Sequence, residues 1–478
     1  MNEARSFTAA EYQVDGSHKM VAYGFSGSKE RGWTVRREGE ETLSLGPGYV
    51  PVPTRYCGVC STDLARRFLP YPLPQIIGHE VVGEHEEKPV VVEINASHLA
   101  RGLEIDQCPF CSNGLDTQCP ERITMGIDRL PGGFSPLIMA PQHAIIPIPD
   151  CVDPMVAALT EPLAATLQGV EATYPENGEE IAVLGPRRLG MLLLVALAGF
   201  RKRQGLQFSI TALARHDGLL ETARRLGADR AVNTRSQTGQ YDVVFDTTGS
   251  VSGFELALGC ARRVVHLKST HGQVVMGMEH LSDMVVDELA LLPYSAEALQ
   301  YGWPIETKPR TNPNVLVMPG IDLTNLPPEH TYHQMSVEEA AAKYDEMSFP
   351  NSPVPRFDLA IVNNLNQADR VIRPGRDWTH SLIRPRGAIL TMPLEQAQNP
   401  LQQALNRGLQ IHTSRCGNFR RALDILEQNP ELAAALKREM ITHQFGLQQI
   451  DEAFATAADS KKSIKVIVDV GHSEKRGL

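Results

Sequence analysis

From Asn177 onward the chain alternates short apolar strands with helical runs, and no other feature restricts the fold as much. The apolar strand IAVLG is followed by the helix-like MLLLVALAGFRKRQG, the strand FSITAL, the helix GLLETARRLGAD and the strand YDVVFD. Strands separated by helices return parallel to one another, so the pattern predicts a doubly wound parallel sheet. Up to about Asp150 the texture differs. β-branched runs such as VVVEIN and HAIIPIP stand between Gly and Pro turn signals, with no long amphipathic helix, which reads as an irregular β-rich domain.

At 478 residues the chain exceeds the roughly 250 to 300 that a single core supports, and it suits two domains plus additional material. The expected division is a β-rich domain over 1–176, a sheet domain over 177–407 and a closing segment over 408–478. In the closing segment, NFRRALDILEQ and ELAAALKREM read as helices that complete the sheet domain, and KKSIKVIVDV as a strand returning to the first domain. Within the sheet domain, about 292–384 fits neither unit. It holds the Pro-rich pieces WPIETKPRTNPN and FPNSPVPRFD and strand-like runs at NVLVMP and FDLAIVN, so it reads as an ordered insertion whose role stays open. A faint repeat surrounds it: RRVVHLKSTHG then MVVDELALLP has the rhythm of RGAILTMPLEQ then NRGLQIHTSRC. That rhythm is either chance or a duplicated unit extending the sheet.

Lys and Arg total 46 against 56 Asp and Glu, a net charge of −10. No stretch is basic enough to follow a phosphate backbone, so nucleic acid is not an expected partner. The longest apolar run, Met191 to Phe200, falls far short of the roughly 20 residues a bilayer span needs, and MNEARSFTAAEYQVDG lacks a signal-peptide core. A soluble, cytoplasmic protein without a membrane partner is expected. Five of the eight cysteines fall in two tight clusters, which in a reducing compartment points to metal rather than disulfides. Cys151, Cys260 and Cys416 are expected to be ordinary buried thiols.

RYCGVCSTDLARRF followed by QIIGHEVVGEHEE sets a thiolate and an imidazole one loop apart, each beside a carboxylic acid: Cys60 with Asp63, and His79 with Glu80. A catalytic zinc takes three protein ligands, keeps one open position and has carboxylates behind its ligands. Glu161 in ALTEPLAA is the candidate third ligand. The same spacing also fits half of a small structural knuckle on Cys57 and Cys60, with His79 on the surface. A second cluster, DQCPFCSNGLDTQCPER, places Cys108, Cys111 and Cys119 in a Cys-x2-Cys-x7-Cys pattern that wraps a tetrahedral metal but leaves one corner.

GVCSTD and GHEVVG resemble the catalytic-zinc motifs of the zinc-dependent medium-chain dehydrogenase/reductase family, the alcohol, sorbitol and threonine dehydrogenases; EPLAA resembles its third-ligand motif. The resemblance covers about residues 50–290 and 385–470. It implies an α/β fold in which a GroES-like β-rich catalytic domain joins a Rossmann-type doubly wound parallel sheet. It further implies that Cys60, His79 and Glu161 hold zinc, and that Glu80 exchanges with water at the metal. Thr62 would bond the substrate oxygen and begin a proton relay, and Asp63 would support the site. The family's structural-zinc lobe usually has a fourth Cys where this chain has Ile105. Asp106 or His98 then completes the corner, or packing holds the lobe without metal.

In a doubly wound sheet the first strand enters a Gly-rich turn whose N–H groups and following helix N-terminus hold a pyrophosphate. Here the turn is GPRRLG, with Gly185 and Gly190 at the outer positions of G-x-G-x-x-G and Arg187 at the middle one. It resembles the GDGKLG-type turns of one zinc-dependent branch, which implies cofactor contacts from Gly185, Arg187, Arg188, Leu189 and Gly190. Arg187 or Arg188 then faces a phosphate, or Arg187 crowds it; as a plain strand-to-helix turn the segment carries a solvated Arg pair. Ala214 falls where NAD-specific relatives keep Asp and Arg215 follows it, so NADP(H) is expected over NAD(H), with Asp217 as the alternative ribose ligand. Thr248 in FDTTGS and Arg415 in TSRCGN resemble further family positions near the cofactor.

The implied activity is hydride transfer between NADP(H) or NAD(H) and a small alcohol or carbonyl substrate, with zinc as Lewis acid, in a dimer or tetramer. Two rivals stand beside it: a zinc-independent reductase resembling the quinone and enoyl reductases, and a non-catalytic descendant that binds or regulates.

Overall fold

In HKMVAYGFSGS the side chains of Val21, Tyr23 and Phe25 are buried while those between them are more exposed, the period-two pattern of a half-buried strand. The structure, a computed structural model, describes residues 3–235, 239–268, 273–304 and 312–471. Strands β1 (Glu3–Tyr12), β2 (His18–Ser28), β3 (Gly32–Arg37) and β4 (Glu40–Leu45) form an antiparallel meander. Its last turn sets Glu38 and Gly39 at positive φ (50° and 90°), as a tight two-residue hairpin requires.

There follow β5 (Tyr49–Gly58), β6 (Glu80–His85), β7 (Lys88–Val92), β8 (Asn95–Ala96), β9 (Ile123–Thr124), β10 (Leu137–Pro141) and β11 (Ile145–Pro147). The next eleven strands are β12 (Glu180–Leu184), β13 (Ser209–Ala214), β14 (Arg230–Asn233), β15 (Tyr241–Asp246), β16 (Ala261–Leu267), β17 (Ala290–Pro293), β18 (Asn314–Val317), β19 (Thr331–Gln334), β20 (Phe357–Val362), β21 (Ile383–Thr391) and β22 (Gln410–Thr413). Two more, β23 (Ile441–Gly446) and β24 (Lys465–Asp469), lie in the tail.

One compact unit comprises the chain up to Ala164 together with the segment from Asn418. Its larger sheet has the order β11-β7-β6-β5-β24-β23, with β10 also on β5, while β8 and β9 pair separately. The tail strand β24 is antiparallel to β5, Val468 opposite Cys57. The other unit, Ala165–Gly417, is built on an eleven-stranded sheet, β14-β13-β12-β15-β16-β22-β17-β21-β20-β18-β19. All six residues of β20, and all but the first of β12 and β13, are buried. That is why these strands read as continuous apolar runs rather than alternating ones.

The division falls at Ala164 and Asn418, where the sequence suggested residues 176 and 407. The second half of the helix Thr160–Thr173 is tied to the sheet through Thr173 Oγ1, 2.8 Å from His266 Nδ1. The helix Pro430–Glu439 joins the first unit, where Lys437 pairs with Asp153. NVLVMP and FDLAIVN become β18 and β20, and the insertion is continuous with the sheet. Residues 305–311 of its Pro-rich piece and STHG (269–272) of the repeat lie outside the described residues.

All eight cysteines are free. Cys260 is buried as expected, but Cys151 is exposed and Cys416 half-buried. Cys151 occupies the turn before the helix Pro154–Ala157, where no core covers it. Among the described residues no helix is long and apolar enough to cross a membrane.

Candidate metal centres and cofactor turn

Antiparallel pairing of β5 and β6 sets Gly58 opposite Glu80, so Cys60 just after one strand and His79 just before the other meet at the same end of the pair. The glycine at 58 leaves room for the Glu80 carboxylate, since a Cβ there would stand 2.0 Å from Glu80 Oε2. Cys60 precedes the short helix Ser61–Leu64, and its N–H donates to Asp63 Oδ2 at 2.8 Å. The ligand atoms of Cys60, His79 and Glu80 all lie within 4.8 Å of one another, with His79 and Glu80 buried. Asp63 Oδ1 is 3.3 Å from His79 Nδ1, and both side chains are buried. The Cys60 thiol donates to Thr62 Oγ1 at 3.7 Å.

Burial by itself would lower the His79 pKa, but the Asp63 carboxylate, with Cys60, overrides it and holds the imidazole well above its ordinary value. Lys465 of β24 donates from Nζ to Glu80 Oε1 at 2.5 Å, pairs with Oε2 as well, and reaches Val59 O at 3.1 Å. Sequence reasoning missed Lys465. Its signal was a lysine at the start of the apolar run VIV, a place where a cation persists only with a partner. Glu161 lies in the first turn of the helix Thr160–Thr173, outside the ligand group; burial raises its pKa and the nearby His79 pulls it down. The structure thus brings Glu80 rather than Glu161 into ligand range. Cys57 belongs to neither ligand group, against the knuckle reading: a Cβ on Gly78 or Gly133 would stand 2.8 Å from its sulfur, and burial pushes its thiol pKa well up.

His98, Cys108, Cys111 and Cys119 form the second group, again within 4.8 Å. Cys108 Sγ is 3.8 Å from Cys119 Sγ, while His98 Nδ1 is 3.4 Å from Cys119 Sγ and 3.9 Å from Cys111 Sγ. Bond lengths of about 2.0 to 2.3 Å on a tetrahedral zinc put ligand atoms about 3.4 to 3.8 Å apart, so this donor set fits the ion. Burial raises the Cys111 thiol to about 12 and the Cys119 thiol as well. Thiolates crowded in this way need a cation among them. His98 opens a short helix capped by Ser97, whose Oγ accepts from Ala100 N at 3.2 Å. Asp106, the other residue considered for this corner, is exposed and outside the group.

In the sheet unit, β12 runs into Gly185 (φ +79°), and a Cβ there would come within 2.8 Å of Thr248 Cγ2. A Cβ on Gly190 would stand 2.6 Å from Thr247 Oγ1, so the two glycines let the turn close on the loop after β15. Thr247 Oγ1 donates to Leu184 O (2.9 Å) and Gly185 O (3.0 Å), and Thr248 Oγ1 to Asp246 Oδ1 (2.7 Å). The helix Arg188–Gln204 begins directly after Arg187, and Arg187, Arg188 and Leu189 are half-buried. A helix N-terminus following a glycine turn at a strand's carboxyl end suits a pyrophosphate. Arg215 is exposed just past β13, whereas Asp217 accepts from Asn233 Nδ2 at 2.9 Å. Arg415, after β22, donates its N–H to Glu288 Oε1 (2.9 Å) and accepts at its carbonyl from the buried Lys268 (3.1 Å).

Residues 46–150 match the family model described as the alcohol dehydrogenase GroES-like domain. An L-threonine 3-dehydrogenase of a Chelativorans species is 29% identical over 235 residues, 44% of this chain and 65% of that protein. A sorbitol dehydrogenase of Halalkalibacterium halodurans is 27% identical over 244 residues, 46% and 67% of the two chains. The chain therefore spans about two thirds of the length of these relatives, and the match takes up less than half of its own length. Among solved structures, L-idonate 5-dehydrogenase from Escherichia coli superposes with a TM-score of 0.56 at 14% identity, covering 98% of this chain and 99% of the other. The fold is a GroES-like β-rich domain with a Rossmann-type α/β sheet.

Proposed function

We propose, from the premise that this chain belongs to the zinc-dependent medium-chain dehydrogenase/reductase family, that it is an oxidoreductase moving a hydride between NADP(H) and a small alcohol or carbonyl compound. The observation that carries this reading is the meeting of Cys60, His79 and Glu80 within 4.8 Å of one another. One sulfur, one ring nitrogen and one carboxylate oxygen suit zinc, and three ligands leave a position open. When bound there, zinc supplies Lewis-acid polarisation of the substrate oxygen.

The chain's own residues do the remaining work. Asp63 fixes the His79 ring and, through the Cys60 N–H, the Cys60 loop. Lys465 offsets the charge of Glu80, so the ligand set is less anionic than its residue types suggest. The Thr62 hydroxyl, beside Cys60, takes the substrate hydroxyl proton and passes it outward. Glu161 is a further carboxylate at the site's margin. His98, Cys108, Cys111 and Cys119 hold a second, structural zinc that stiffens their lobe. Gly185, Arg187, Arg188, Leu189 and Gly190 would hold the pyrophosphate, with Thr248 bracing the glycine turn, and Arg415 would add a positive charge for the cofactor phosphates. Arg215, exposed and with no ion-pair partner among the described residues, would hold the 2′-phosphate and so favour NADP(H).

The test is fluorescence titration of the purified protein with NADPH and NADH, followed by a panel of polyols, amino-alcohols and aromatic alcohols. Tighter NADPH binding with dinucleotide-dependent turnover of any alcohol is the expected result. Absence of dinucleotide binding would contradict the proposal and favour a non-catalytic descendant.

A further inference from the structure

Counted outward from its middle, the eleven-stranded sheet is two half-sheets. One runs β22, β16, β15, β12, β13, β14 and the other β17, β21, β20, β18, β19. Strands within each half are parallel to their neighbours. At the junction β22 and β17 are antiparallel, with Leu291 opposite Ile411.

The chain visits both halves in the same order. In the first it lays down the fourth position (β12), then the fifth and sixth (β13, β14), then returns to the third (β15) and second (β16). In the second it lays down the fourth (β18) and fifth (β19), then the third (β20) and second (β21). Each run then crosses the junction. β17, which follows β16, takes the innermost place of the second half, and β22, which follows β21, takes the innermost place of the first. The sequence keeps the same rhythm, with YDVVFD and ARRVVHL in one half answered by FDLAIV and IRPRGAILT in the other.

We infer that residues 314–413 are a second, inverted copy of the run 180–293 that builds the cofactor sheet, the two locked together by exchange of their innermost strands. Through it the chain covers its own β22 edge. An uncovered β22 would present unpaired N–H and C=O groups beside the buried Leu409 and Ile411, a template on which a second copy could pair. The edges that remain, β14 and β19, are four residues long each and contain no fully buried residue.

Polar groups bolt the junction. The fully buried Glu288, just before β17, accepts from Arg386 Nε of β21 (3.1 Å) and from the N–H of Arg415 beyond β22 (2.9 Å). Thr413 Oγ1 of β22 donates to Leu289 O at 2.6 Å. The second copy is not a second dinucleotide site. Its reversal point lies between β18 and β20, yet β18 passes to β19 through turns with no helix, and Asn363 Nδ2 bridges to Pro319 O at 3.3 Å. Its role is to complete the sheet within one chain, so any dimer or tetramer must use another surface.

The test pairs cysteines across the junction, Leu291→Cys with Ile411→Cys, in the full chain. After mild oxidation a bond within single chains of 52.6 kDa is expected on a non-reducing gel, absent from either single variant. Chains linked as dimers, or no bond in a variant that keeps its circular dichroism and cooperative melt, would overturn the inference. Should the double variant fail to fold, hydrogen exchange on the unaltered chain decides. Protection of 290–293 and 410–413 matching β15 is expected, and fast exchange at 410–413 would overturn it.

Discussion

The two ligand groups of the first unit draw on the same chemistry but close to different degrees. His98, Cys108, Cys111 and Cys119 offer four donors, filling a tetrahedron, whereas Cys60, His79 and Glu80 offer three. Their surroundings differ in the same sense. Behind His79 stands the buried Asp63, and behind Glu80 the buried Lys465, while His98 Nε2 leans on Glu121, whose side chain is 75% exposed. Donor count and the burial of the supporting charges, more than donor type, separate a group suited to holding a lobe together from one suited to reacting.

Removing one cysteine sulfur from each group tests that contrast most sharply. Cys60→Ala is expected to lower turnover by roughly 10³-fold or more, the several kcal/mol of charge stabilisation a metal supplies. Bound zinc should fall by one per chain with little change in melting temperature; steady-state kinetics, elemental analysis and a thermal melt read all three. Cys119→Ser should show the reverse, a loss of about 3 kcal/mol of stability, or roughly 6 to 12 °C, with low-temperature turnover within a few-fold of the parent. If both variants behaved alike, the division into open and closed groups would be wrong.

The supporting charges give smaller effects. Asp63→Asn should cost about 10- to 100-fold in metal affinity or turnover, measured by competition with a chelating dye and by kinetics. The matching change at the other group, Glu121→Gln, should alter stability by less than about 0.5 kcal/mol in denaturant unfolding, since its charge is largely in water. A large effect of Glu121→Gln would erase the distinction between buried and exposed support.

What the sequence revealed, and what it hid, follows the range of the interactions concerned. Cys60 and His79 were legible because GVCSTD and GHEVVG are local motifs, as were β12, β13 and β15, whose apolar runs announce strands buried on both faces. That Glu80 and not Glu161 lies within ligand range of Cys60 and His79 was not, nor was the pairing of Glu80 with Lys465, 385 positions away. Asp106 was attractive by proximity to the three cysteines, but its turn faces solvent and His98 arrives from a separate helix. In the sheet, the rhythm around the insertion was visible while the strand exchange was not. Two strands of four residues each, β17 and β22, carry too little pattern to say which half they join.

A timed chelation tests the role proposed for the three-donor group most directly. Protein carrying two zinc ions per chain, one for each ligand group, is exposed to a chelator while zinc content, alcohol-dependent NADPH formation and melting temperature are followed together. Loss of one zinc should abolish turnover before the melting temperature moves, and added zinc should restore it. Turnover that persists after that zinc has gone would contradict the zinc-dependent reading and place the chain with metal-independent reductases.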